Sequence, residues 1–230
     1  MKVLAVETSS NNCSVALLDE NKVIADFNCN TGTTHSQNLM PMVDQVLKFA
    51  EADLNDIDVL AGSTGPGSFT GLRIGIATIK GMAISLKSKV IGVPSLLGLA
   101  YNVPHFCGII CSVIDARNDN VYAALYKQED DKIVMVGDYI SDSLNTLIEE
   151  LKKHDKKIFF VGDGAISYRE RFTEEFGDKA IFMPYHLNCQ SAVSVAKAAL
   201  DKANNNEFDD YNTIKPLYLK KSQAERMLEE

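Results

Sequence analysis

Residues 63–75, STGPGSFTGLRIG, place four glycines, a proline, several hydroxyls and an arginine within thirteen positions. A loop of this composition holds a phosphate when its backbone N–H groups converge and a Lys-Ser/Thr pair follows to grip the phosphate and its magnesium. Here Gly71 is followed by Leu72 and Arg73, and no GxxxxGK[S/T] pattern occurs. The same glycines serve equally well to turn the chain sharply and to let another backbone come close.

Two carboxylates form a second candidate grouping. Glu7 and Asp115 each end an apolar run. Facing each other across a cleft they would hold Mg²⁺; at the ends of separate strands they would simply meet water. Beside them Thr8, Ser9 and Ser10 offer hydroxyls, and Gly162 and Gly164 of the segment Gly162-Asp163-Gly164 offer backbone N–H groups. Metal chemistry is poorly served. Two imidazoles one helical turn apart share a face of a helix, but four residues after His35 stands Leu39, and His105, His154 and His186 are isolated. No HExxH occurs, so the sequence gives a metallopeptidase no ligand set and predicts no bound metal.

These residues sit in a pattern written twice. From Glu7 a polar turn leads to a strand over 13–18 and another over 22–27; from Asp115 a polar turn leads to a strand over 120–126 and a third strand beyond. Glu7 and Asp115 align at an offset of 108, and with no gap Asn12 meets Asn120, Ala16 meets Ala124 and Leu17 meets Leu125. A helix pattern (37–51), a strand (57–61) and the glycine loop follow in the first half. A helix pattern (143–154), a strand (157–161) and the Gly162–Gly164 turn follow in the second. Each half therefore reads β-β-β-α-β-α. The expected organisation is a two-lobed α/β fold, with a first lobe over 1–103, a second over 104–206, and a tail, 207–230, that packs back on the first. The boundary falls where a proline follows an apolar helix at Asn102-Val103-Pro104.

The helix after the glycine loop carries Gly71, Gly75, Thr78 and Met82 at steps of four and three, with Ile74, Ala77 and Gly81 on the neighbouring face. An interior helical glycine costs roughly 1 kcal/mol against alanine, so close approach of another backbone is the expected return. The first helix repeats Leu39, Met42, Val43 and Val46, with Met40 on its flank. Pro66-Gly67 suits a type II turn, and Ser68 or Thr70 suits the helix cap. Arg73, in the first turn, opposes the helix dipole and so points to a carboxylate or a neighbouring subunit. On this basis Gly75→Leu is expected to leave the monomer folded and to disturb an interface.

Composition limits the rest. The chain has 230 residues, 46% hydrophobic and 23% charged, with a net charge of −8. That is globular composition, and an acidic chain gains nothing from counterion release on a nucleic acid, so any nucleic-acid contact is expected to come through a partner. Five cysteines, an odd number without a CxxC pair, read as reduced thiols in a cytoplasmic protein. The N-terminus lacks the apolar core of a signal peptide, and no run of about 18 apolar residues predicts a membrane span.

VETSS in the first hairpin, THSQNLMPMV on the first helix, GSTGPGSFTGLRIG with KGMA, IDARNDNVYAALY, VGDG and PLYLKKSQAE together resemble the TsaB family of bacterial threonylcarbamoyladenosine biosynthesis proteins, historically grouped with the M22 glycoprotease-like proteins. The resemblance spans nearly the whole chain. It implies the actin/Hsp70/sugar-kinase (ASKHA) fold with two related lobes. It also implies a non-catalytic scaffold that dimerises with TsaD, the transferase that places a threonylcarbamoyl group on the adenosine beside the anticodon of ANN-reading tRNAs. The ATPase TsaE is the implied third member, and tRNA is met only through the complex. The implied partner surface comprises His35, Leu39, Met42, Val43 and Val46 of the first helix and Gly71, Arg73, Gly75, Thr78 and Met82 of the second, a surface that in isolation can pair with itself. No cofactor is required for that role. The alternative is an ATP-binding transferase or ATPase acting in its own inter-lobe cleft, with Thr8, Ser9, Ser10, Asp115, Gly162 and Gly164 as a weak ATP or ADP site.

Overall fold

The computed structural model describes residues 1–32, 34–130 and 132–220, which divide into two units. The first unit joins Met1–Gly98 to Gln190–Leu217. Its strands are β1 (Val3–Glu7), β2 (Cys13–Leu18), β3 (Val23–Cys29), β4 (Val59–Gly65) and β5 (Lys89–Pro94), hydrogen-bonded in the order β3-β2-β1-β4-β5. Helices α1 (His35–Phe49) and α2 (Phe69–Leu86) connect β3 to β4 and β4 to β5. The central strands β1 and β2 are buried along their whole length, because both faces of the sheet are covered. Side chains alternate, so Leu4 and Val6 of β1 join Val15 and Leu17 of β2 in one core cluster with Leu39, Val43 and Val46 of α1 and Ile76 and Ile79 of α2. The opposite face carries the small residues Ala5, Ala16 and Ala61. It is covered by α7 (Ala192–Asn204), whose own buried residues are mostly alanines and which contacts β1, β2, β4 and β5.

The second unit, in its described part Leu99–Cys189 with residues 218–220, repeats the plan. Its strands are β6 (Ile109–Asp115), β7 (Asn120–Glu129), β8 (Lys132–Ser143), β9 (Ile158–Val161) and β10 (Ala180–Phe182), in the order β10-β9-β6-β7-β8. Read from the other edge this is the same permutation as in the first unit. Helix α4 (Leu144–Lys152), capped by the Ser143 hydroxyl accepting from the Thr146 N–H, drives Leu144, Leu147, Ile148 and Leu151 into the core. The short helices α5 (Asp163–Ser167) and α6 (Arg169–Phe176) follow β9. Phe160 of β9 stacks on Phe172 of α6 with centroids 4.2 Å apart and on Phe182 of β10 at 5.3 Å. One further short helix, α3 (Ser95–Ala100), spans the change from the first unit to the second.

The duplicated order expected from the sequence is present, with one more strand per half (β5 and β10) than the periodicity revealed. The expected limits of the second lobe differ from those found. Residues 190–206 belong to the first unit, not the second. The alanine-lined face of the first sheet requires a cover, and α7 supplies it; the Ala192 N–H donates to the Ser14 hydroxyl at 2.8 Å. Residues 207–217 also stay with the first unit. Asp209 bridges Val90 on the outer side of β5, and Ile214 enters the core cluster. Lys220 donates to the Asn120 side chain at 3.1 Å and so marks the return to the second unit; the rest of the expected tail, 221–230, lies outside the described residues. The sequence predicts no span-length apolar helix, yet α2 is long and apolar enough by length and composition to cross a membrane. Here one side of it is buried against the first unit's own sheet.

Candidate functional site

The glycine loop answers its own question through what surrounds it. A Cβ on Gly67 would lie 2.2 Å from the Ser9 carbonyl oxygen. One on Gly71 would lie 2.0 Å from the Thr8 carbonyl oxygen and 2.9 Å from His35 Cδ2, and one on Gly75 would lie 2.3 Å from Thr8 Oγ1. The glycines therefore admit the β1–β2 turn against the start of α2, where any side chain would collide. Hydrogen bonds fix the contact. The Ser68 N–H donates to the Ser9 carbonyl at 2.7 Å, and the Thr8 hydroxyl donates to the Gly71 carbonyl at 2.8 Å. Of the two cap candidates, Ser68 and Thr70, Ser68 caps α2, its hydroxyl accepting from the Gly71 N–H at 3.2 Å. The type II turn expected at Pro66-Gly67 is not formed: the chain bends there with a cis Gly65–Pro66 peptide.

The residues proposed for nucleotide binding are largely engaged within their own units. Thr8 and Ser9 are buried, and Ser10 is half-buried with its carbonyl 2.8 Å from His35 Nε2. Glu7 is neither a strand end in water nor an open ligand. It is buried, accepting from the Ser9 N–H and, at 3.0 Å, from the Ser63 hydroxyl. Burial pushes its carboxyl above the ordinary value, and the bonds from Ser9 and Ser63 only partly offset this. In the second unit Asp115 is half-buried and accepts from the Arg117 N–H at 2.8 Å and the Tyr168 hydroxyl at 3.1 Å. The Gly162 N–H donates to Asn188, and the Gly164 N–H donates to Asp163 at 2.9 Å. Both N–H groups expected to face a phosphate thus have protein acceptors. Among the described residues no cluster of three or more His, Cys, Asp or Glu side chains is placed to hold a metal.

The helix residues proposed for a partner divide differently from the sequence expectation. Leu39, Met42, Val43 and Val46 are buried in the first unit's own core, and Gly71 and Gly75 are buried against Thr8. None of these six presents a surface. Gly75→Leu would strike Thr8 and so act on the fold, contrary to the expectation that the monomer would tolerate it. His35 is half-buried on the β1–β2 turn. Arg73 is exposed, with its guanidinium 4.4 Å from the centroid of the Phe69 ring, an arrangement that gives the cation an aromatic partner one helical turn back.

What α1 and α2 present outward is the neighbouring face. Met40 is 49% exposed and Ile84 63% exposed. Between the helices lies a mostly apolar groove of about 330 Å³, lined by Met40, Ala77, Thr78, Gly81, Met82 and others. Of the predicted partner residues only Thr78 and Met82 line it. A Cβ on Gly81 would meet nothing within 4 Å, so this glycine fills no packing need inside the unit. The sequence pattern places Ala77 and Gly81 on a secondary face and Met40 on a flank. The signal for this face is that α2 is apolar on two sides: Leu72, Ile76, Ile79, Met82 and Ala83 account for the core, leaving Ala77, Gly81 and Ile84 exposed.

Comparison with known proteins places this architecture. The family described as TsaD, tRNA N6-adenosine threonylcarbamoyltransferase, matches residues 30–228. A Bacillus subtilis protein, tRNA threonylcarbamoyladenosine biosynthesis protein TsaB, is 30% identical over 98% of this chain and 96% of its own length. A crystal structure from Pseudomonas aeruginosa, described as similar to peptidase YeaZ, superposes with a TM-score of 0.81 at 26% identity, covering 95% of this chain and 99% of the other. A Thermus thermophilus ROK hexokinase, at 9% identity and a TM-score of 0.54 over 89% of this chain and all of its own, shares the sugar-kinase-like fold alone.

Proposed function

The chain belongs to the TsaB family of tRNA threonylcarbamoyladenosine biosynthesis proteins, and from that premise we propose that it is a non-catalytic, cytoplasmic scaffold whose first unit docks a TsaD-type transferase. The observation that carries this reading is the outward apolar groove between α1 and α2, whose lining includes the exposed Met40, Ala77 and Gly81, a glycine with no packing need inside the unit. A glycine exposed on a helix weakens the helix by roughly 1 kcal/mol relative to alanine, and it permits a partner helix to approach at backbone distance. Met40 and Met82 give the groove adaptable walls. The docked partner carries the chemistry on tRNA, and this acidic chain reaches tRNA only through it. TsaE joins as a further member.

The role needs neither metal nor nucleotide from this chain. The β1–β2 turn is packed beneath the glycine loop, and the Gly162 and Gly164 N–H groups are already donated, which supports a scaffold over a transferase. The test is calorimetric titration of the chain with a purified TsaD-type protein, alongside Gly81→Arg. Binding by the native chain that the substitution weakens, with unchanged monomer stability, supports the scaffold. ATP turnover by the isolated chain without partner binding contradicts it.

A further inference from the structure

We infer that Cys13 and Cys29 form a two-thiol modification site that a small hydroperoxide converts reversibly to a disulfide. The two residues are direct partners across the antiparallel β2–β3 pair. Directly opposed residues project to the same face with Cα atoms about 4.5–5.5 Å apart, within the roughly 4.4–6.8 Å that a disulfide spans. Both side chains belong to one environment. Cys13 is part of the core cluster beneath α1, and Cys29 packs against that cluster. The sheet thus holds two thiols opposite each other before any oxidant arrives.

The two thiols differ in access, and this sets the order of events. Cys13 is 1% exposed, and burial first, then the nearby Cys29, pushes its thiol up to about 11. Cys29 is only half-buried, on the edge strand β3, with its sulfur 3.4 Å from the Thr31 hydroxyl and accepting at 3.6 Å from the Asn38 amide of α1. An oxidant therefore meets Cys29 first. The remaining cysteines lack this arrangement: Cys111 is buried in the second unit, and Cys107 and Cys189 are exposed and stand in no strand pairing with another cysteine.

The chemistry balances with one molecule of hydroperoxide. The Cys29 sulfur attacks one peroxide oxygen, the O–O bond breaks, and the departing oxygen leaves as water, giving a sulfenic acid. The Cys13 sulfur then attacks the Cys29 sulfur, the S–O bond breaks, and the hydroxyl leaves as water with the Cys13 proton. Two thiols and one hydrogen peroxide become one disulfide and two waters; sulfur is oxidised and peroxide oxygen reduced. A dithiol reductant reverses the change. Closing the bond draws the Cys29 sulfur toward β2 and away from Asn38, so the hairpin's redox state is felt at the start of α1.

The test uses the full chain, reduced, freed of reductant, treated with one equivalent of hydrogen peroxide, alkylated and mapped by mass spectrometry. Before alkylation the expected product has lost two hydrogens and returns to the starting mass with dithiothreitol; after alkylation and digestion it contains a peptide cross-link between Cys13 and Cys29. In Cys29→Ser the cross-link is lost. In Cys13→Ala, Cys29 stops at a sulfenic acid trapped by dimedone. As an independent probe, phenylarsine oxide should bridge the two sulfurs in the native chain and not in Cys29→Ser. Oxidation of Cys29 to sulfinic acid with Cys13 still reduced, or a cross-link that forms only in denaturant, overturns the proposal.

Discussion

The Thr8 hydroxyl donates to the Gly71 carbonyl across 2.8 Å, and a Cβ on Gly75, one helical turn on, would lie 2.3 Å from the same hydroxyl oxygen. The glycine-rich stretch is thus the seat of the β1–β2 turn. Thr8 packs against Gly71 and Gly75, and the helix it rests on leaves Ala77, Gly81 and Ile84 exposed on another side.

Gly75 and Gly81 should respond oppositely to alanine. Gly75→Ala forces a shift against Thr8 and is expected to cost about 1–3 kcal/mol, as overpacking does. Gly81→Ala meets open space and should be neutral or stabilising by up to about 1 kcal/mol. Urea denaturation of both variants measures the difference. Equal effects would remove the distinction between an inward and an outward glycine.

Ser68→Ala removes the side-chain cap of α2 and should lower stability by about 1 kcal/mol in the same assay. Ser68→Asp, which restores an acceptor and adds a favourable charge at the helix start, should recover most of it. A loss that Asp fails to recover would assign the effect to the backbone contact with Ser9 instead.

Glu7 should make stability depend on pH in a definite direction. Its folded pKa is raised by burial, so protonation is favoured in the native state, and the chain is penalised as pH rises through that value. Glu7→Gln keeps an oxygen to accept from Ser9 and Ser63 and removes the buried charge. The variant should gain stability relative to the native chain as pH rises above about 4.3, the ordinary glutamate value, and the gain should vanish in more acidic solution. Denaturation across pH shows this; a native chain that becomes relatively more stable with rising pH would contradict the assigned direction.

His35 Nε2 lies 2.8 Å from the Ser10 carbonyl, and no second imidazole shares its helix face. Elemental analysis of the purified chain should find no stoichiometric zinc, and chelator should leave its thermal midpoint unchanged. One tightly held zinc per chain would overturn this.

Much of the fold is legible in the sequence because it is written twice. The acid-ended strand, the polar turn and the second strand recur at an offset of 108, and β1–β2 and β6–β7 form there. The place of α7 is not legible. Its alanines match a sheet face composed of Ala5, Ala16 and Ala61, residues too small to signal which distant helix covers them. The candidate site shows the same limit. Leu39, Val43 and Val46 repeat at helical spacing as a docking stripe would, and so does any core face. For α2 the periodicity marks two apolar sides, and only the position of Thr8 decides that Gly71 and Gly75 look inward while Gly81 looks out.

The most direct test of the scaffold reading is the affinity of the native chain and of Gly81→Arg for a purified TsaD-type partner, measured by calorimetry with and without ATP. The account predicts tight binding by the native chain, at least tenfold (about 1.4 kcal/mol) weaker binding by the variant at unchanged monomer stability, and no ATP hydrolysis by the chain alone. Equal affinities for the two proteins, or ATP turnover by the isolated chain with no partner binding, would contradict it.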